Sequence, residues 1–234
     1  MKKTLHAWPA LALALTLSTT NALAADRPYL VTNSAAAEED EEQVGSVENW
    51  LRRVGTQRSL TVAPEYAFNP QDSLQLELRR SVDREAGNGH EIELEAKHLF
   101  NRIARDGWGV GIVAILDYGR PAGGAWQRNS AALSVPFTWQ IGEGEGLLHL
   151  NLGIAKPRDE RRIATGAIAA EREVAPRTTL FAEIARDADG RLVHGGVRYW
   201  IKRERLAVDV SWQRLRSDEA RGSGLVLGIA WYDL

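Results

Sequence analysis

The chain has 234 residues, no cysteine, and 29 basic against 31 acidic side chains, for a formal net charge of -2. That balance carries no electrostatic footprint for nucleic acid. Without cysteine there can be no disulfide framework, thiolate metal site or lipidated-cysteine anchor.

The first element is a targeting segment. Lys2 and Lys3 form a basic start, Ala10 to Leu17 is apolar except for Thr16, and Ala22-Leu23-Ala24 is an A-x-A cleavage site. Residues 1–24 therefore read as a secretory signal peptide, too short in its apolar run to span a bilayer as a helix. Losing Lys2 and Lys3 makes the mature chain more acidic, and its length fits a single domain. Residues 25–44 are small, polar and acidic, with the run Glu38-Glu39-Asp40-Glu41-Glu42. Such a run repels itself and buries nothing, so it predicts a disordered periplasmic lead-in.

From there to the C-terminus, residues 45–234, the pattern has a period of two. Strands are predicted near 57–68, 72–81, 90–100, 107–118, 129–141, 146–155, 162–173, 178–186, 191–201, 204–214 and 223–232. The clearest is 107–118: Trp108, Val110, Ile112, Ala114, Leu116 and Tyr118 make one row, while Gly107, Gly109, Gly111, Val113, Ile115 and Asp117 make the other. An apolar row about ten residues long with an aromatic at each end is what a tilted strand presents to lipid. Strand 162–173 is the least distinct, because Ala and Gly fill both rows. Gly45 to Val54 alternates poorly, yet a strand is needed there if the mature N-terminus is periplasmic and the strand number even. Counting it predicts twelve strands; ten is the alternative.

The connections sort into a compact set, such as 69–72 and 202–204, and a longer, polar set at 82–89, 119–128, 156–161, 187–190 and 215–222. These match the periplasmic and extracellular ends of a barrel. A soluble lipocalin-like barrel would carry the same rows with its faces inverted. The strand number, the sorted loops and the aromatic ends of the apolar rows (Trp108, Tyr118, Trp139, Trp212 and Trp231) favour the membrane, with those aromatics as an interfacial girdle. Against this, the chain lacks the terminal Phe typical of such barrels. The predicted fold is all-β: an up-and-down antiparallel transmembrane barrel in a Gram-negative outer membrane. Its expected partners are membrane lipid and lipopolysaccharide, the barrel-assembly machinery and a small-molecule permeant.

Several segments resemble a family of bacterial outer-membrane proteins. They are His149-Leu-Asn151-Leu-Gly153, Phe181-Ala-Glu183, Gly195-Gly-Val-Arg198-Tyr-Trp200, Leu206-Ala-Val-Asp209, Leu60-Thr-Val-Ala-Pro64-Glu-Tyr66 and Asp72-Ser-Leu-Gln-Leu-Glu-Leu78. The family is that of the transporter-like, or "MetA-pathway of phenol degradation", proteins. The resemblance implies an outer-membrane barrel that moves small hydrophobic or aromatic compounds, and it brings no catalytic residues with it.

If the apolar rows face lipid, the opposite rows line a lumen: Glu65, Glu77, Arg79, Glu91, Glu93, Glu95, Lys97, Asp117, His149, Asn151, Glu183, His194, Arg198 and Asp209. These either form an ionic plug or line a polar conduit whose excess of carboxylates favours cations and neutral solutes. Catalysis would need a nucleophile beside His149, as in an outer-membrane lipid hydrolase, and no serine lies within two residues of it. His149 and His194 are far apart in sequence and show no metal-ligand spacing. No phosphate-binding glycine loop is present, so no cofactor is expected. The glycines read as strand positions that ease curvature or crowding. Arg158 to Arg162 reads as a solvated loop, and the loops are too short for adhesion.

Overall fold

The computed structural model describes residues 28–36, 44–84, 87–142, 145–188, 190–216 and 221–234. The signal-peptide reading of 1–24 and the acidic run 38–42 lie outside these residues.

Twelve strands follow one another: β1 (Val44–Val54), β2 (Gln57–Asn69), β3 (Asp72–Asp83), β4 (Gly87–Leu99), β5 (Trp108–Arg120), β6 (Gln127–Ile141), β7 (Gly146–Pro157), β8 (Ile163–Ala175), β9 (Thr178–Arg186), β10 (Arg191–Lys202), β11 (Leu206–Arg216) and β12 (Arg221–Trp231). Each pairs antiparallel with its neighbour in sequence, and β1 pairs with β12 to close the barrel. Closure removes the exposed sheet edges, so every strand has a partner on both sides. The ten-strand alternative is overturned, since Gly45 to Val54 forms a full strand. Its alternation is poor because both rows are mixed: Trp50 joins Ser46 and Glu48 on the inner face, against Ala63 and Val226, while Asn49 and Arg53 join Leu51 on the outer one.

The outer face is apolar around the wall. Leu60, Leu76, Leu94, Leu116, Leu133, Leu152, Ile168, Ile184, Val210 and Leu227, among others, are exposed on it. A contiguous apolar belt of this extent is untenable in water and is what a bilayer-spanning barrel requires. Among the described residues no helix is long and apolar enough to cross a membrane.

The loops differ from expectation. Strands run further than the apolar rows suggest, so the connections opposite the chain termini shrink to 55–56, 84–86, 121–126, 158–162, 187–190 and 217–220. The longest connection, 100–107, lies instead at the end carrying the termini, where it holds a single helical turn, α1 (Ile103–Asp106). Gly107 closes that turn in the left-handed region, at φ 72°, donating its N–H to the Ile103 carbonyl. The two ends are therefore not separated by loop length.

The largest departure concerns residues 28–36. They are not a solvated lead-in but a strap folded into the lumen, with Thr32 and Ala35 fully buried. The reason is local. Pro28 to Ala36 carries no charge and holds Tyr29, Leu30 and Val31, which have apolar area to bury; the acidic run begins only after it.

Candidate functional site

Strand parity and burial place all the predicted lumen residues on the inner face. Glu65, Glu95, Lys97, His149, Asn151, Glu183, His194, Arg198 and Asp209 are buried, and Glu77, Arg79, Glu91, Glu93 and Asp117 are partly so. The girdle candidates Trp108, Tyr118, Trp139, Trp212 and Trp231 all lie exposed on the outer face. The inner residues do not form one site. They divide into a sector that holds the strap, an acidic sector, and an ionic lock at the end carrying the termini.

The strap sector spans β5 to β11. Glu183 accepts three successive backbone N–H groups: Leu30 at 3.0 Å on Oε2, then Val31 at 3.0 Å and Thr32 at 2.5 Å on Oε1. Asn151 reads one strap residue in both directions, accepting the Asn33 N–H at 2.6 Å and donating to the Asn33 carbonyl at 2.7 Å. Thr138 Oγ1 accepts the Ala35 N–H at 2.8 Å. These partners satisfy backbone groups that would otherwise be buried bare.

Small side chains make the room. The Ala35 carbonyl oxygen sits 2.0 Å from where a Cβ on Gly109 would be, so only glycine fits at that point of β5. Ala169 on β8 lies under Tyr29, and Ala167 and Ala185 take Leu30 and Val31. Tyr29 also meets His149 edge-on at 5.1 Å and Phe181 at 6.1 Å. Burial first, then the charges of Glu171 and Glu183, pushes its phenol well above the ordinary tyrosine range. It therefore stays protonated and donates to Glu171 at 3.4 Å.

Behind the strap two histidines extend the network. Thr138 Oγ1, which accepts from Ala35, also lies in hydrogen-bonding contact with His149 Nδ1, 3.0 Å away. His194 bridges Glu183 Oε2 at 3.3 Å and Ser211 Oγ at 2.8 Å. Serine, histidine and carboxylate in this order have the connectivity of a hydrolytic triad. Here, however, Ser211 is buried in the middle of β11, whose backbone is committed to ladders with β10 and β12. The chain of contacts steadies Glu183 beneath the strap.

At the end carrying the termini, Arg198 forms a two-pronged pair with Asp209 (Nε to Oδ1 2.7 Å, Nη2 to Oδ2 2.9 Å). It also donates to the Tyr232 hydroxyl at 2.9 Å, which in turn donates to Glu48 at 2.7 Å. This lock ties β10, β11 and the chain end to β1, and Trp200 packs on Tyr232.

The acidic sector lies on β3 to β5. In register across the three strands stand Glu77, Glu93 and Asp117. Arg79 pairs with Glu77 at 2.6 Å and Glu91 at 2.7 Å, and these five residues line one cavity. Like charges directly opposite on neighbouring strands are destabilising, so such a row needs water or cations against it. Nearer the terminal end, Lys97 pairs with Glu65 at 3.3 Å.

The sequence reading missed Thr138, Ser211, Glu48, Tyr232 and the strap itself. A signal for the strap existed in the Tyr-Leu-Val run of an otherwise polar lead-in and in the glycine and alanine inner rows of β5 and β8. Among the described residues no group of three or more histidine or acidic side chains is arranged to hold a metal.

No protein-family model matches the chain, and no curated protein matches it. Solved structures do match. The KdgM porin in complex with disordered oligogalacturonate aligns with a TM-score of 0.60 at 11% identity, over 80% of this chain and 98% of the porin. The fold is that of the outer-membrane barrels. An outer membrane channel from Pseudomonas putida F1 aligns at 0.57 and 10% identity, over 87% of this chain and all of that one. The NanC porin aligns at 0.57 and 8% identity, over 81% of this chain and all of the porin. At these identities the likeness concerns the wall and not the lumen.

Proposed function

We propose that the chain is a passive, non-catalytic channel for small solutes in a Gram-negative outer membrane. It reaches that membrane through a cleaved signal peptide over residues 1–24 and rests closed behind its own strap. The carrying observation is one closed wall with two opposed surfaces: apolar outside, and charged inside with an acidic cavity beside a strap held by hydrogen bonds. The porin-type barrels that share the fold support the same reading.

Inward carboxylates outnumber inward cations, so the fixed field favours cations and neutral polar solutes. It opposes a polyanion such as the oligogalacturonate held by the KdgM porin. The family resemblance points to small hydrophobic or aromatic permeants, and the apolar lining around Leu30 suits an uncharged member of that class.

A second reading, a non-conducting scaffold barrel, draws on the strap and the Arg198 lock, which fill much of the interior. Planar-bilayer recording of the full-length protein separates the two. The channel reading expects discrete conductance steps with cation preference. Silence in the wild type and in every strap-released variant selects the scaffold.

A further inference from the structure

Glu183, Asn151, Thr138 and Gly109 recognise nothing about the strap except its backbone: five N–H groups, one carbonyl engaged in a hydrogen bond and one carbonyl in close approach. Each polar member is itself buried and aimed inward, and Glu183 is held from behind by His194. Beside them, Leu30 packs between two apolar patches, Trp50 with Ala63 and Val226 on one side and Leu192 with Ala167 and Ala185 on the other. A carboxylate facing consecutive amide protons, a side-chain amide paired to a main-chain amide, a glycine floor and an aliphatic pocket make up the chemistry of a peptide receptor. Main-chain hydrogen bonds give affinity there, and side-chain pockets give selectivity.

We infer that the lumen contains a peptide-binding site, that residues 28–36 occupy it in cis, and that a free linear peptide with an aliphatic residue at the Leu30 position binds the same wall. The inference deepens the channel reading, since such a peptide would be a blocker or a permeant, but the site stands on geometry that does not depend on conduction. The strap is joined to β1 through residues 37–43. A short tether supplies an effective concentration on the order of millimolar, so a free peptide competes only after the cis strap is weakened.

The test uses the full-length chain carrying Leu30→Asp, which puts a charge into the apolar pocket and leaves every wall residue unchanged. A heat-modifiable band on unboiled gels checks that the barrel has formed. A labelled peptide of sequence Pro-Tyr-Leu-Val-Thr-Asn-Ser-Ala-Ala is then titrated in detergent and followed by fluorescence anisotropy. Saturable binding is expected to Leu30→Asp, with little to wild type. Adding Asn151→Leu to the same chain removes both hydrogen bonds to the Asn33 position, and the peptide then binds at least about tenfold more weakly, one decade for each 1.4 kcal/mol lost.

The scrambled peptide, and the peptide with aspartate at the leucine position, should not bind. The site is overturned if the scrambled peptide binds equally, if Asn151→Leu leaves affinity unchanged, or if a folded Leu30→Asp barrel binds no peptide. Gly109→Ala, which pushes on the Ala35 carbonyl and leaves Leu30 in place, is a second route to strap release should Leu30→Asp fail to fold. Peptide binding by a barrel that never conducts supports the site and removes the channel reading. Conduction without peptide binding does the reverse.

Discussion

Two sectors of the same inner wall carry the same sequence signature and use it differently. On β7 to β11, Asn151 and Glu183 spend their hydrogen-bonding capacity on the backbone of a folded strap, while His149 and His194 bond the side chains of Thr138, Glu183 and Ser211 around it. On β3 to β5, Glu77, Glu93 and Asp117 stand abreast around a cavity, with Arg79 engaging Glu77 and Glu91. An inward carboxylate is thus no guide to its own role. Glu183 is an acceptor for amide protons, while Glu93 belongs to a field of like charge. What separates them is the size of their neighbours: glycine and alanine on the inner rows of β5 and β8 leave space for a chain to enter, whereas the long acidic and basic side chains of β3 and β4 fill their own sector.

The comparison is tested hardest where the strap side borders the lock. Arg198→Ala removes the two-pronged charge partner of buried Asp209, and losing one partner of a buried pair costs about 3–5 kcal/mol; the midpoint of heat-modifiable unfolding should fall accordingly. Glu183→Gln presents an amide donor to the strap and weakens its charge-assisted bonds, an expected loss of about 1.5–3 kcal/mol. That loss should fall on the strap alone, seen as faster protease cleavage within 28–36 with an unchanged barrel band. A matching drop in barrel stability would show that the strap and the wall form one cooperative unit.

Gly109→Ala overpacks the Ala35 carbonyl by about 1–3 kcal/mol and should raise conductance without altering ion preference, because the acidic row is untouched. The smallest effect is expected at the acidic row. Glu93→Gln relieves like-charge opposition and should stabilise the barrel by about 0.2–1 kcal/mol, while moving the reversal potential in a salt gradient toward zero. A destabilised Glu93→Gln would mean that the row is internally paired, and the contrast between the sectors would fail.

Period-two alternation was enough to read the wall: the rows of β5, β6, β7 and β11 assign lipid and lumen faces correctly, and every inner candidate from Glu65 to Asp209 points inward. That follows because side-chain direction in a strand is a local property, set by backbone geometry at each residue. The weak spots were informative in retrospect. β1 alternates poorly because Trp50 fills the lumen, and β8 is featureless because Ala167 and Ala169 lie under the strap.

The barrel and its two faces were thus legible in the residue pattern, while the choice of twelve strands over ten waited on β1. Only the tertiary structure decided what stands inside. The strap meets Glu183 and Asn151 across more than a hundred residues of chain, through its own backbone N–H and carbonyl groups. Every non-proline residue carries the same such groups, so no residue pattern marks which of them will be bound, and only the closure of twelve strands brings the wall to them.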